Sequence, residues 1–277
     1  MFLAESRSSR PDGTENDMDF RGTRALVTGA SSGIGTRFAE RLAADGADLV
    51  LVARRADALE TLAARLREEH GVAVDVLPTD LGAPDGVAGL VKQLDDAGLT
   101  VDVLVNNAGF GQHTDLVDAD PARLVAMVTL NCGALVELTA RLVPGMVARR
   151  RGGVLNVAST AAFQPVPHMA TYGATKAFVL SFTEALWAET RGTGVHVTAL
   201  CPGATATEFF DVSGGGAVGA LQPADEVAAL GLAALRANRP SVVAGLRNRL
   251  LANSPRFFPR SLTALVTERA MAGTRGA

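Results

Sequence analysis

The chain contains one tyrosine, Tyr172, and two lysines, and one of those lysines, Lys176, stands four residues after the tyrosine. The other 24 of the 26 Lys+Arg residues are arginine. Against that usage, Tyr172-Gly173-Ala174-Thr175-Lys176 points to a chemical need for these two residue types. On a helix, positions i and i+4 share a face, so both side chains can reach one ligand. A phenol beside an ammonium is a general acid or base. The phenol titrates near pH 10 in water, and a nearby positive charge favours its ionised form. Lysine suits that task better than arginine, being a compact, mobile point charge with three donors. The plainer reading is a tyrosine and a lysine on a solvated helix face, and the surroundings decide between the two.

From residue 22 onward, short apolar runs alternate with helical patterns. The runs are Arg24–Gly29, Asp48–Ala53, Val72–Leu77, Val101–Asn106, Gly153–Ala158, Val195–Cys201 and Ser241–Ala244. Between them, segments such as Phe38–Leu42, Leu59–Leu66 and Val87–Leu94 place apolar residues at helical spacing. Strands without strict alternation, separated by helices, indicate a parallel sheet covered on both faces. Right-handed crossovers then give an α/β single-domain Rossmann fold, a doubly wound parallel sheet of about seven strands. Nothing linker-like divides residues 21–277. Within them lie a Gly-rich flap at Ser213–Gly219, inside a variable lid over about 207–222, and a basic amphipathic tail over about 236–277. Residues 1–20 are polar and are expected to form a disordered extension, either a leader from an upstream start or a regulatory arm.

The first run leads into Thr28-Gly29-Ala30-Ser31-Ser32-Gly33-Ile34-Gly35, and a helical pattern follows. Glycines there permit a tight turn and let backbone N–H groups approach a pyrophosphate at the positive end of a helix. Ser31 or Ser32 is a further candidate contact for the phosphate. The second run ends Val52-Ala53-Arg54-Arg55, with no carboxylate for a ribose 2′-hydroxyl. Arg54 instead suits a 2′-phosphate through its planar fork, with Arg55 assisting, unless both merely begin a solvated helix. NADP(H) is therefore favoured and NAD(H) remains possible. After the third run, Asp80-Leu81 stands where an Asp reaches an adenine edge or caps the next helix. After the fourth, Asn107-Ala108-Gly109 lies at the carboxyl edge of the sheet, where ligands bind.

Taken together, Thr28-Gly29-x-x-x-Gly33-x-Gly35, Asn106-Asn107-Ala108-Gly109, Ser159, Tyr172-x-x-x-Lys176 and Pro202-Gly203 resemble the short-chain dehydrogenase/reductase family in its single-domain form. The resemblance covers roughly residues 22–210 in order and spacing, with Ser159 thirteen residues before Tyr172. It implies that Tyr172 protonates a carbonyl oxygen in reduction, or acts as the base in oxidation. Lys176 would bind the nicotinamide ribose and lower the Tyr172 pKa, and Ser159 would steady the substrate oxygen. Asn131 is similar to the helix asparagine that supports a water-linked proton path to Lys176. Pro202, Gly203, Thr205 and Thr207 are similar to the loop that grips the nicotinamide carboxamide, although Thr205 stands where the family more often has an aliphatic residue. The resemblance also implies a homodimer or homotetramer built partly from helices around 122–149 and 172–190.

The substrate end is less determined. Phe110, Phe163, Val166, Met169, Phe209 and Phe210 flank the expected site and suggest an apolar pocket for a ketone, steroid-like or acyl substrate. Residues 236–277 hold eight arginines and one acid, a net of 8 − 1 = +7 against −3 for the chain. They suit either an anionic partner (a CoA, a phosphopantetheine carrier, a membrane surface) or an amphipathic cover with arginines facing water. The net charge argues against nucleic-acid binding. Cys132 and Cys201 show no disulfide or metal spacing, which suggests a reducing, cytoplasmic setting, and no metal site is expected. No run reaches membrane-spanning length without charge. The leading expectation is an NADP(H)-dependent ketone/alcohol oxidoreductase. A 3-oxoacyl thioester reductase and a non-catalytic dinucleotide sensor are the alternatives.

Overall fold

The computed structural model describes residues 18–214 and 220–272. Every expected run contains a strand: β1 (Arg24–Thr28), β2 (Asp48–Val52), β3 (Val74–Val76), β4 (Val103–Asn106), β5 (Gly152–Val157), β6 (Val195–Cys201) and β7 (Ser241–Val243). They form one seven-stranded sheet in the order β3-β2-β1-β4-β5-β6-β7. Every neighbouring pair is parallel. The order of connection reverses between β1 and β4, and in an open sheet of this kind a ligand crevice forms there, beyond the strands' carboxyl ends.

The helices, in chain order, are α1 (Gly33–Ala44), α2 (Ala56–His70), α3 (Gly86–Asp96), α4 (Pro121–Val128), α5 (Leu135–Ala148), α6 (Ala170–Glu189), α7 (Phe209–Ser213), α8 (Ala224–Arg236), α9 (Leu246–Asn253) and α10 (Arg260–Ala272). Phe38, Leu42, Leu59, Leu66 and Leu232 pack with Val27, Leu49 and Leu51 on one face of the sheet. Leu90, Leu94, Leu138 and Met146 pack with Leu26, Val50, Leu104 and Val154 on the other. Alternate strand residues thus feed two apolar layers, which is why the strands carry no polar alternation. A π-helical segment, Thr129–Ala134, joins α4 to α5. The continuous run Pro121–Ala148 is 28 residues long, and by length and composition it could cross a membrane. Here Met127, Leu135, Leu138, Val143 and Met146 are buried against the rest of the fold.

One polar network crosses the second layer. The Asn106 side-chain amide donates to Asn156 Oδ1 at 2.9 Å and to Thr139 Oγ1 at 3.1 Å. Asn156 in turn donates to Thr183 Oγ1 at 3.0 Å. Thr139 and Thr183 donate to the carbonyls of Leu135 and Val179 at 2.7 and 2.6 Å. All four side chains are buried, and they tie β4 and β5 to α5 and α6.

The core takes in residues that precede the expected domain boundary at residue 21. Phe20 is fully buried, and the Arg236 guanidinium lies 4.5 Å from its ring centroid. The Met18 amide donates to the Arg236 carbonyl at 3.3 Å. Met18 and Phe20 are apolar residues inside a polar stretch, and the core takes them in. Residues 1–17 of the expected extension lie outside the described residues, as do residues 215–219 of the Gly-rich flap and 273–277 of the tail.

Candidate active site

Gly29 and Gly33 take φ of +65° and +57° in the turn from β1 to α1, a region costly for side-chain-bearing residues. Gly35, expected among the cofactor contacts, lies instead beneath the loop. A Cβ on Gly35 would stand 2.1 Å from the Gly29 carbonyl oxygen and 2.6 Å from Asn107 Nδ2. Its role is close approach of helix to strand. The loop is pinned from β4 by a contact that motif reading passed over: Thr28 Oγ1 accepts from the amides of Asn107 and Ala108 at 2.9 and 3.0 Å. Asn107 Nδ2 donates back to the Thr28 and Gly29 carbonyls at 3.0 and 3.2 Å. Asn107 therefore shapes the phosphate loop through its side chain.

A cleft of about 1240 Å³ is lined by residues from the carboxyl ends of the strands and the segments that follow them. Gly29, Ser31, Ser32, Gly33, Ile34, Arg54, Arg55, Asp80, Leu81, Asn107, Ala108, Gly109, Pro202, Gly203, Thr205 and Thr207 all border it. Asp80 Oδ1 accepts from the Gly82 amide at 2.9 Å, so Asp80 turns the chain; the α3 N-cap is Asp85. The Thr205 hydroxyl is committed to the Gly203 carbonyl at 3.0 Å, consistent with its departure from the family pattern.

The two arginines have different environments. Arg55 donates to Ser31 Oγ at 3.3 Å and the Ser31 carbonyl at 3.1 Å, and it pairs with Glu208 at 3.0 Å. It thereby straps the glycine loop to the segment after β6. Arg54 is exposed and, among the described residues, makes no hydrogen bond or ion pair.

Tyr172 and Lys176 lie on the first two turns of α6, facing Ser159 at the end of β5. Ser159 Oγ caps the short 3-10 helix Thr160–Phe163 by accepting from the Ala161 amide at 3.1 Å, and it hydrogen-bonds the Tyr172 phenol. Backbone bonds from Ala158 to Leu200 and from Thr160 to Pro202, at 2.7 and 2.8 Å, hold that turn against the end of β6. Lys176 Nζ donates to the Val157 carbonyl at 2.8 Å and lies 5.8 Å from the Tyr172 ring centroid. Burial pushes the Tyr172 phenol up to about 12, against a downward pull from the Ser159 hydrogen bond. Burial likewise pushes Lys176 down to about 8, opposed by the neighbouring Cys132 and Cys201. Among the groups that shift the phenol in the protein alone, Ser159 opposes burial and Lys176 does not figure. Desolvation dominates, and the phenol is a firmly protonated acid.

Asn131 lies in the π-helical segment and is 2% exposed. It stands behind the cleft wall. Its Oδ1 accepts from the Phe110 amide at 3.1 Å, and its Nδ2 donates to the Phe110 carbonyl at 2.9 Å and to Thr175 Oγ1 at 3.1 Å. It positions the β4 loop against α6. π-helical turns are frequent at functional sites, because the extra residue re-aims side chains.

Of the expected substrate residues, Phe110, Val166, Met169, Phe209 and Phe210 border the cleft. Phe163 does not; it packs with Leu180 and lines a separate, smaller pocket. The rings of Tyr172 and Phe209 are 5.3 Å apart. Among the cleft residues that the sequence did not signal, two make contacts across the site. Glu208 is the partner of Arg55. Asn248 on α9 donates to Gln222 Oε1 at 3.3 Å and the Ala244 carbonyl at 2.8 Å, and it packs so tightly on Gly203 that a Cβ there would meet it at 2.2 Å. A lone amide between Arg247 and Arg249 was the available signal.

A family model described as short chain dehydrogenase matches residues 23–214. The chain belongs to that family. This dehydrogenase is 39% identical over 182 residues to a very-long-chain 3-oxoacyl-CoA reductase of Phaeosphaeria nodorum, a match covering 64% of this chain and 53% of the relative. The match thus spans about half of that protein's length. Among solved structures, a short-chain dehydrogenase from Sphingobium yanoikuyae in complex with NADPH is 36% identical, with TM-score 0.77 over 85% of this chain and 94% of that one. A bulky-bulky ketone specific alcohol dehydrogenase from Comamonas testosteroni is 31% identical, with TM-score 0.74 over 92% and 96%. The chain thus shares the family and the fold of these proteins.

Proposed function

We propose that this dehydrogenase reduces a bulky, apolar ketone to a secondary alcohol with NADPH, Tyr172 delivering the proton. The carrying observation is a protonated, desolvated Tyr172 hydrogen-bonded to Ser159 and backed by Lys176 inside a cleft with aromatic walls. A dinucleotide held along the glycine loop supplies the hydride. Ser159 orients the carbonyl oxygen and the phenol gives up its proton to it, so that charge developing on that oxygen is met by two donors. The residues present fit the dinucleotide: the glycine turn borders the cleft with two glycines at positive φ, and Arg54 stands uncommitted at the end of β2, where a 2′-phosphate would lie. The NADPH-bound relative supports that choice. A sensor would need the glycine turn but not the proton donor.

A 3-oxoacyl thioester is the second reading, supported by the relative's name and by the basic tail. Exposed Val125 and Val128 on α4 and Phe178 on α6 support a homodimer or homotetramer through these helices. The free, buried Cys132 and Cys201 support a reducing, cytoplasmic setting.

NADPH oxidation assayed over bulky ketones, steroids and oxoacyl thioesters, with NADH in parallel, separates these readings. Bulky ketones are expected to turn over fastest, and Arg54→Ala is expected to raise KM for NADPH roughly tenfold or more while leaving NADH use unchanged. Preference of the wild type for NADH would overturn the Arg54 assignment, and turnover confined to thioesters would establish the second reading.

A further inference from the structure

The chain carries an apolar surface that extends beyond the cleft of the proposed reaction. Fourteen large apolar side chains are exposed among the described residues, and eight of them lie within residues 246–266: Leu246, Leu250, Leu251, Phe257, Phe258, Leu262, Leu265 and Val266. Phe257 is 80% and Leu246 75% exposed. A soluble surface rarely clusters apolar groups in this way unless something covers them. Exposed Arg247, Arg249, Arg260 and Arg269 are interleaved with them on α9 and α10.

We infer that α9, α10 and the turn between them dock on an anionic lipid bilayer surface. Charge identifies the occupant. Residues 246–272 hold five arginines and one acid, a net of 5 − 1 = +4, while the chain as a whole is −3, so positive charge accompanies the exposed apolar side chains. A second copy meeting this face about a two-fold axis would set arginine against arginine. A bilayer with anionic headgroups takes the arginines at headgroup depth and the leucines and phenylalanines below it. The cleft supplies an independent observation. Leu251, Phe258, Leu262 and Val266 are exposed and also line the cleft. The docking face and the cleft wall are therefore continuous, and an apolar molecule leaving the bilayer enters between α9 and α10 without crossing water.

Co-sedimentation of the full chain with vesicles tests this. The protein should pellet with phosphatidylcholine vesicles containing about 30% phosphatidylglycerol, stay in solution with phosphatidylcholine alone, and be largely released by about 0.5 M NaCl. The combined variant Leu250→Ser, Phe257→Ser, Leu265→Ser replaces no residue that lines the cleft, and neither does Arg247→Glu, Arg249→Glu. Each should bind anionic vesicles at least roughly tenfold more weakly while reducing a short, water-soluble ketone at the wild-type rate. Absence of wild-type binding to anionic vesicles would overturn the inference. So would binding indifferent to both sets of substitutions, or a concentration-dependent oligomer that the serine variant dissolves while vesicles capture nothing. Because the readout is binding, its failure leaves the ketone-reductase reading intact.

Discussion

Replacing Tyr172 by Phe is expected to lower turnover about a thousandfold while NADPH affinity, read by fluorescence titration, stays near that of the wild type. The substitution deletes one oxygen. The ring keeps its place against Phe209 and the helix keeps its packing, so what is lost is the proton donor and the hydrogen bond to Ser159. Positioned acids contribute on the order of two to four decades, and here no second donor replaces the phenol. Water can supply the proton, but without the preorganised pair that faces the developing oxyanion. Turnover within an order of magnitude of the wild type would remove Tyr172 from the proposed chemistry. Loss of NADPH affinity in parallel would instead assign it to cofactor binding.

Lys176→Met is expected to abolish most turnover and to change how stability depends on pH. The native lysine titrates at about 8, whereas its ordinary value is 10.5, because burial disfavours the ammonium. Between those values the unfolded chain holds more protons than the native one, so raising the pH stabilises the native state. Below about pH 8 the charge is retained and its cost is constant. From pH 7 to pH 10 the wild type should therefore gain about 2 kcal/mol on the Met variant, roughly 5 °C in melting temperature for a chain of this size. Tyr172, pushed up by burial to about 12, acts in the opposite direction above pH 10 in both proteins; Cys201, also pushed up by burial to about 12, does so above pH 9, and Lys176 opposes that rise in the wild type alone. Parallel melting curves across that range would contradict the buried-charge reading, and a gap opening toward acid would reverse its sign.

Strands and the candidate Tyr172–Lys176 pair were legible because each is written locally. Runs such as Asp48–Ala53 are continuous and apolar because both faces of the sheet are covered, and Tyr172 and Lys176 signal themselves through their rarity. What escaped is what depends on partners distant in sequence. Nothing in Arg54-Arg55 tells which one turns back to Ser31 and Glu208, since that contact spans 153 residues. Asn131 reads as a site residue by pattern, yet its amide is fully engaged with Phe110 and Thr175. Gly35 looks like part of a ligand loop until the Gly29 carbonyl is placed beside it. Phe163 has the right composition for the cleft, but the 3-10 turn after Ser159 carries it to the other side.

The Asn106–Asn156 pair has a consequence for how the chain finds its fold. Strands β4 and β5 are otherwise Val, Leu and Gly, and a parallel pairing shifted along by two residues would bury nearly the same apolar surface. In the native alignment the two asparagines stand opposite each other, and Asn106 donates to Asn156 Oδ1. A slipped pairing leaves both amides in a dry interior facing methyl groups, each unmet polar group costing about 1–3 kcal/mol. The network thus works as a vernier. It adds little to the depth of the native state and raises the misaligned ones, so a sheet assembled from distant, interchangeable segments closes in a single alignment.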